Sequence, residues 1–183
     1  MGPTRRGQIA VAQHRGVNTG LYVVMGVAGS GKSVVGAALA NALGVEFVEG
    51  DEYHSAENVE RMSRGVPLTD DDRARWLRSL AARLREAKNA GVGLVVSCSA
   101  LKRSYRDILR AGASDLCFVF LEGERALIAE RLAARRGHFM PTSLLNSQLA
   151  TLEQPAPDED AWVGDIRKSP QELVAAFLAS VSA

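Results

Sequence analysis

Short, nearly unbroken apolar runs alternate along the chain with longer stretches in which apolar residues recur every three or four positions. The runs occupy residues 21–25 (Leu-Tyr-Val-Val-Met), 45–48, 94–98, 116–121 and 162–166. Apolar runs of this length bounded by Gly, Asp or Ser read as strands covered on both faces; the last, broken by Gly164 and Asp165, reads as a weaker one. Between them Val35, Ala38, Leu39 and Ala42 share one face of a helix over residues 32–43. Trp76, Leu77, Leu80 and Leu84 stripe a long helix that starts after Thr69. Shorter helices are predicted over 56–64 and 104–111, and further ones over 124–136, over 142–153 and from Ser169 onward, the last packing through Leu173, Val174, Phe177, Leu178 and Val181. Strands that alternate with helices pair in parallel through right-handed crossovers, so the fold class is α/β.

The helix starts carry their own chemistry. Thr69 followed by Asp72, and Ser169-Pro170-Gln171-Glu172, are capping signatures, and Asp70, Asp71 and Asp72 lie where carboxylates meet the positive end of a helix dipole. That accounts for most of the acidic triplet without a ligand.

A chain of 183 residues is long enough for one well-filled core, and 46% hydrophobic with 23% charged residues is ordinary for a globular domain. No apolar run is long enough to span a bilayer. A formal net charge of +1 gives no general attraction to nucleic acid. Cys98 and Cys117 both fall in predicted core strands, as free buried thiols of a reducing cytoplasm would. Residues 1–20 show no periodicity and are expected to be a disordered tail or an appended remnant; residues 21–183 form the single domain.

The chemistry is concentrated at Gly26-Val27-Ala28-Gly29-Ser30-Gly31-Lys32-Ser33, a G-x-x-x-x-G-K-[ST] run between the first strand and the first helix. Glycines let successive N–H groups turn inward around an anion, and the helix that follows presents unpaired N–H groups and a positive dipole end. In such a loop Lys32 reaches the outer phosphates of a nucleotide and the Ser33 hydroxyl is a ligand of its Mg²⁺. The second strand runs into Glu49-Gly50-Asp51, with His54 just beyond. Ligands of an open parallel sheet gather past the carboxyl ends of its strands, which puts Asp51 in place to meet an acceptor hydroxyl and Glu49 to meet the metal's water shell. Lys102, Arg103 or Arg106, leaving the central strand, are candidates to meet an anionic group. Arg131 and Arg135, four apart on one helix face, are candidates to stabilise charge on a transferring phosphoryl group, and residues 137–141 interrupt that helix as a hinge would.

Taken together these segments resemble the gluconokinases of the thermoresistant gluconate kinase type, within the shikimate-kinase and adenylate-kinase group of P-loop kinases. The resemblance is carried by the loop from Met25 to Ser33; Glu49-Gly50-Asp51 with His54 and Asn58; residues 65–73 with Trp76-Leu77; residues 97–103 with Tyr105-Arg106-Asp107; Arg131-Leu132 with Arg135 and His138-Phe139; and Leu144-Leu145 with Ser147-Gln148, Leu152-Glu153 and Pro155. It implies a five-stranded parallel sheet in the order 2-3-1-4-5 with helices on both faces and a helical lid around residues 125–155. It also implies ATP and Mg²⁺ as cofactors and D-gluconate as acceptor. By the same resemblance Asp51 orients the acceptor hydroxyl, Glu49 stands near the metal through water, and Arg131 and Arg135 are lid arginines over the phosphates. His54, Arg61, Lys102, Arg103, His138 and Gln148 are implied to hold the sugar acid. Ala28 stands where the family often has Ser, Ser55 where Pro is common and Arg61 where Lys is usual; the last bears on the acceptor's grip because the two cations differ in geometry. A shikimate kinase-like acceptor and a nucleotide-dependent switch are the alternatives. No nucleic-acid or membrane partner is expected, and a homodimer is left open.

Overall fold

The computed structural model describes residues 17–134 and 142–182. The predicted tail up to residue 16, Arg135, His138 and the hinge at 137–141 lie outside the described residues. In chain order the elements are β1 (Leu21–Met25), α1 (Lys32–Leu43), β2 (Glu46–Glu49), α2 (Ala56–Ser63), α3 (Asp70–Ala90), β3 (Leu94–Ser97), α4 (Arg103–Arg110), β4 (Cys117–Glu122), α5 (Arg125–Ala134), α6 (Thr142–Thr151), β5 (Ala161–Asp165) and α7 (Pro170–Val181). The five strands are parallel and ordered β2-β3-β1-β4-β5, as expected.

Alternate residues of each strand serve opposite cores. Leu21, Val23, Met25, Val96, Phe118 and Phe120 face Trp76, Leu77, Leu80 and Leu84 of α3 and Tyr105 and Leu109 of α4. Tyr22, Val24, Val95, Val119 and Leu121 face Val35 and Leu39 of α1 and Leu173 and Phe177 of α7. Burial on both faces is why the three central strands β3, β1 and β4 are apolar at almost every position instead of every second one.

Several ends differ from the sequence reading by one residue, for a local reason. β2 begins at Glu46 instead of residue 45 because the Val45 N–H turns back to the Ala40 carbonyl (3.0 Å), closing the end of α1 behind Gly44 in the left-handed region. β4 begins at Cys117 because the Leu116 N–H closes a turn onto Ala113. Both predicted capping boxes are present, at Thr69 with Asp72 and at Ser169 with Glu172.

One expectation is corrected. Arg106 meets no external anion: it is 0% exposed and forks Nε and Nη2 onto the Glu159 carboxylate at 2.6 and 2.8 Å. Its Nη1 donates to the carbonyls of Ala100, Leu101 and Glu153 at 3.0–3.3 Å. Arg110 Nη2 and the Ala156 N–H complete the shell of Glu159 at 2.9 and 3.0 Å. This buried network ties the loop after β3 to the loop before β5, and so fixes one wall of the ground beyond the strand ends.

Candidate active site

The phosphate-loop run lies between β1 and α1, as its spacing requires. Gly26, Gly29 and Gly31 all have positive φ, and no side chain caps α1 at Gly31, so the first-turn N–H groups are presented outward. Gly29 has a second reason to be glycine: a Cβ there would stand 2.7 Å from Leu132 Cγ and 3.2 Å from Ile128 Cγ2, because α5 roofs the loop. Lys32 folds over the loop with Nζ donating to the Val27 carbonyl at 3.2 Å. From α6, Gln148 Oε1 accepts the Ala28 N–H at 2.7 Å, so the 142–151 helix reaches the same loop.

The acidic pair comes in from two strands away. Glu49 stands opposite Ser97 in the β2–β3 register and accepts the Ser97 hydroxyl proton, while Gly50 N donates to the same Oγ at 3.1 Å. A Cβ on Gly50 would run into the Ser97 carbonyl oxygen, and Trp76 Nε1 holds the Gly50 carbonyl at 2.7 Å. The turn Gly50–Tyr53 is thereby pinned, with Asp51 exposed on it. Burial pushes the Cys98 thiol up to about 12, and the charges acting on it are those of Asp51, Lys32 and Glu49.

His54 is not the solvated turn residue that a lone histidine usually is. Its ring stacks on Trp76 with centroids 4.1 Å apart and planes at 21°, and its Nδ1 is buried with no hydrogen-bond partner among the described residues. Burial lowers its pKa, Asp51 opposes and Arg73 reinforces the shift, so the imidazole is neutral at pH 7.

The structure sorts the predicted cations. Arg61 pairs with Asp72 at 2.8 Å, and Arg103 forks onto Asp158 at 3.0 and 2.6 Å. Lys102 pairs with Asp70 at 2.8 Å; hydrogen bonds from Lys102 and from the Tyr105 hydroxyl hold the Asp70 carboxyl below its ordinary range. Hydrogen bonds from Thr69 do the same for Asp72. Asp70 and Asp72 thus bind cations as well as starting α3, which extends the helix-cap explanation of the triplet. Arg131 Nη2 donates to the Ile166 carbonyl at 2.6 Å, linking α5 to the end of β5. Arg73 was not among the predicted site residues. Its signal in the sequence was its place three residues before Trp76, on a neighbouring part of the face that meets His54.

A family model described as "AAA domain" matches residues 21–155. The gluconokinase of Gluconobacter oxydans is 53% identical, over 79% of this chain and 81% of that one. The thermoresistant gluconokinase of Escherichia coli is 46% identical, over 86% of this chain and 91% of that one. The crystal structure of a gluconokinase from Sinorhizobium meliloti superposes with a TM-score of 0.82 at 50% identity, covering 90% of this chain and 92% of that one. With a phosphate loop, an acid at the end of the second strand and relatives this similar over nearly their whole length, the chain belongs to the gluconokinase family of P-loop kinases.

Proposed function

We propose that this enzyme transfers the γ-phosphoryl group of ATP to the C6 hydroxyl of D-gluconate, giving 6-phospho-D-gluconate and ADP. The observation that carries the reading is the phosphate loop, with Lys32 folded over it and no side-chain cap on the helix that follows, together with the pinned turn after β2 that exposes Asp51. The residues present fit a magnesium nucleotide: the loop offers N–H groups and Lys32 to phosphate, and the Ser33 hydroxyl with the Glu49 carboxylate, through water, are hard oxygen donors suited to Mg²⁺. The metal, when bound, neutralises charge on the phosphates.

The transition state of phosphoryl transfer is loose, so placement and charge count for more than proton removal. In this reading Asp51 accepts a hydrogen bond from the acceptor hydroxyl and aims it, Lys32 stabilises charge on the transferring group, and Arg131 and Arg135 close over the phosphates. Neutral His54, packed on Trp76, offers a polar edge to the polyol, and Gln148 joins the lid to the loop. Lys102 and His138 are the basic groups assigned to the acceptor side; Arg61 and Arg103 are paired with Asp72 and Asp158. Free buried thiols at Cys98 and Cys117 suit a cytoplasmic enzyme.

ADP release measured with D-gluconate, shikimate or no acceptor tests the reading. Turnover is expected with gluconate alone; turnover with shikimate, or equal turnover without acceptor, would overturn it. Asp51→Asn is expected to lower turnover about 100-fold, at the low end of what a positioned proton acceptor supplies. Calorimetric binding of Mg·ATP should persist in that variant, and unchanged turnover would remove Asp51 from the mechanism.

A further inference from the structure

The arginines beyond the strand ends differ in what they already hold. Arg61 is committed to Asp72, Arg103 to both oxygens of Asp158, and Arg106 to Glu159 and three carbonyls. Arg73 is not committed in this way. Of the five N–H donors of its guanidinium, the contacts among the described residues are a long 3.4 Å bond to the Tyr105 hydroxyl and a 3.9 Å approach to Asp70. Its side chain is nevertheless only 26% exposed and is held near the Tyr105 ring, with Cζ 5.9 Å from the centroid. Lys102, 30% exposed, shares both neighbours, at 2.8 Å from Asp70 and 5.4 Å from the Tyr105 centroid. One carboxylate therefore serves two cations, and the cluster keeps a formal surplus of positive charge.

That surplus is close to the acceptor ground. Arg73 is one helical turn before Trp76, the ring that carries His54, and the charges of Arg73 and Asp51 both act on the His54 imidazole. A six-carbon sugar acid has its carboxylate at the opposite end of the chain from its C6 hydroxyl, so a site that aims the hydroxyl at Asp51 needs a separate anion anchor within reach.

We infer that Arg73 and Lys102, bridged by Asp70 and Tyr105, form the anchor for the acceptor's carboxylate and set the preference for a sugar acid over a neutral polyol of the same shape. The inference rests on the gluconokinase reading above and assigns within it the charge recognition. A partly desolvated guanidinium with unused N–H groups matches a carboxylate in two-point geometry, whereas Lys102 adds a point charge. Asp70, exposed on the first turn of α3, aligns the two cations in the absence of acceptor.

The test compares kcat/KM for D-gluconate with that for its C1 amide, the same polyol without the negative charge. Arg73→Gln is expected to lower the acid-to-amide ratio about 10- to 100-fold, the range of a charge-assisted hydrogen bond, with the KM for ATP unmoved. Lys102→Met, at the N-cap of α4 and outside the core, should lower the ratio less and keeps the test decisive if Arg73→Gln does not fold. A merely structural role would slow both acceptors alike, and an unchanged ratio in both variants would overturn the anchor while leaving gluconate turnover by the wild type intact. Absence of gluconate-dependent turnover by the wild type would overturn the gluconokinase reading, and the anchor with it.

Discussion

Lys32→Ala is expected to lower turnover at saturating ATP and gluconate by about 10²- to 10³-fold, the loss seen when one preorganised donor to a developing charge is removed. The ammonium already hangs over the phosphate loop, 3.2 Å from the Val27 carbonyl, so it reaches the phosphates without reorganising the chain. The fold should be untouched, because the helix that follows is held by Val35, Leu39 and Leu43 in the core. Lys32→Arg should not restore the rate, since a planar fork cannot occupy the place of a compact ammonium. Single-turnover ADP release beside a thermal melt separates the two effects. A variant that melts normally and turns over at the wild-type rate would show that the loop does not hold the transferring phosphate.

Glu159→Ala is the substitution with the largest expected effect on stability. It leaves the Arg106 guanidinium, 0% exposed, without its counter-charge, and the loss of one partner of a buried pair costs about 3–5 kcal/mol. For a domain of this size each kcal/mol corresponds to about 2–4 °C in Tm, so the melt should fall by roughly 6–20 °C. The same residue gives a pH signature. Burial by itself would raise the Glu159 pKa, but hydrogen bonds from Arg106, the Ala156 N–H and Arg110 outweigh it and hold the carboxyl down at about 2. A depressed folded pKa means the stabilisation is fully present above the ordinary value of 4.5 and is lost as the pH falls from there towards 2. Denaturant titrations across that window should show stability falling with acid in the wild type and a flatter profile in Glu159→Ala. Equal slopes would show that the pair contributes nothing to acid sensitivity.

The activity consequence of Glu159→Ala follows from place, not charge. Arg106 Nη1 holds the carbonyls of Ala100 and Leu101, and Ala100 has a positive φ of 43° immediately before the segment that presents Lys102. Loosening that loop should therefore affect gluconate before ATP, in keeping with the position of Lys102 on the acceptor side.

Much of this molecule was legible in one dimension, and the reason differs from element to element. The phosphate loop is a local object: its glycines, its lysine and the strand and helix beside it are contiguous, so nothing distant is needed to form the cradle. The central strands were legible because burial on both faces leaves a nearly unbroken apolar run, as at Leu94, Val95 and Val96. The capping boxes at Thr69 and Ser169 span four residues each and close on themselves. Two strand starts moved by a residue where a neighbouring turn claimed the first N–H, at Val45 and Leu116.

Amino-acid order alone determined the α/β class, the nucleotide cradle and the acid placed past the second strand, because each depends on near neighbours or on a period that packing obeys. Tertiary structure alone decided which cation is already neutralised. Arg106 and Glu159 are 53 positions apart, Arg103 and Asp158 are 55, and Arg61 and Asp72 are 11. A basic residue reads the same in sequence whether it is spent on a buried carboxylate or kept for a substrate. The difference is a matter of distance and desolvation, and those exist only once α3, α4 and the loop before β5 have come together over the ends of the sheet.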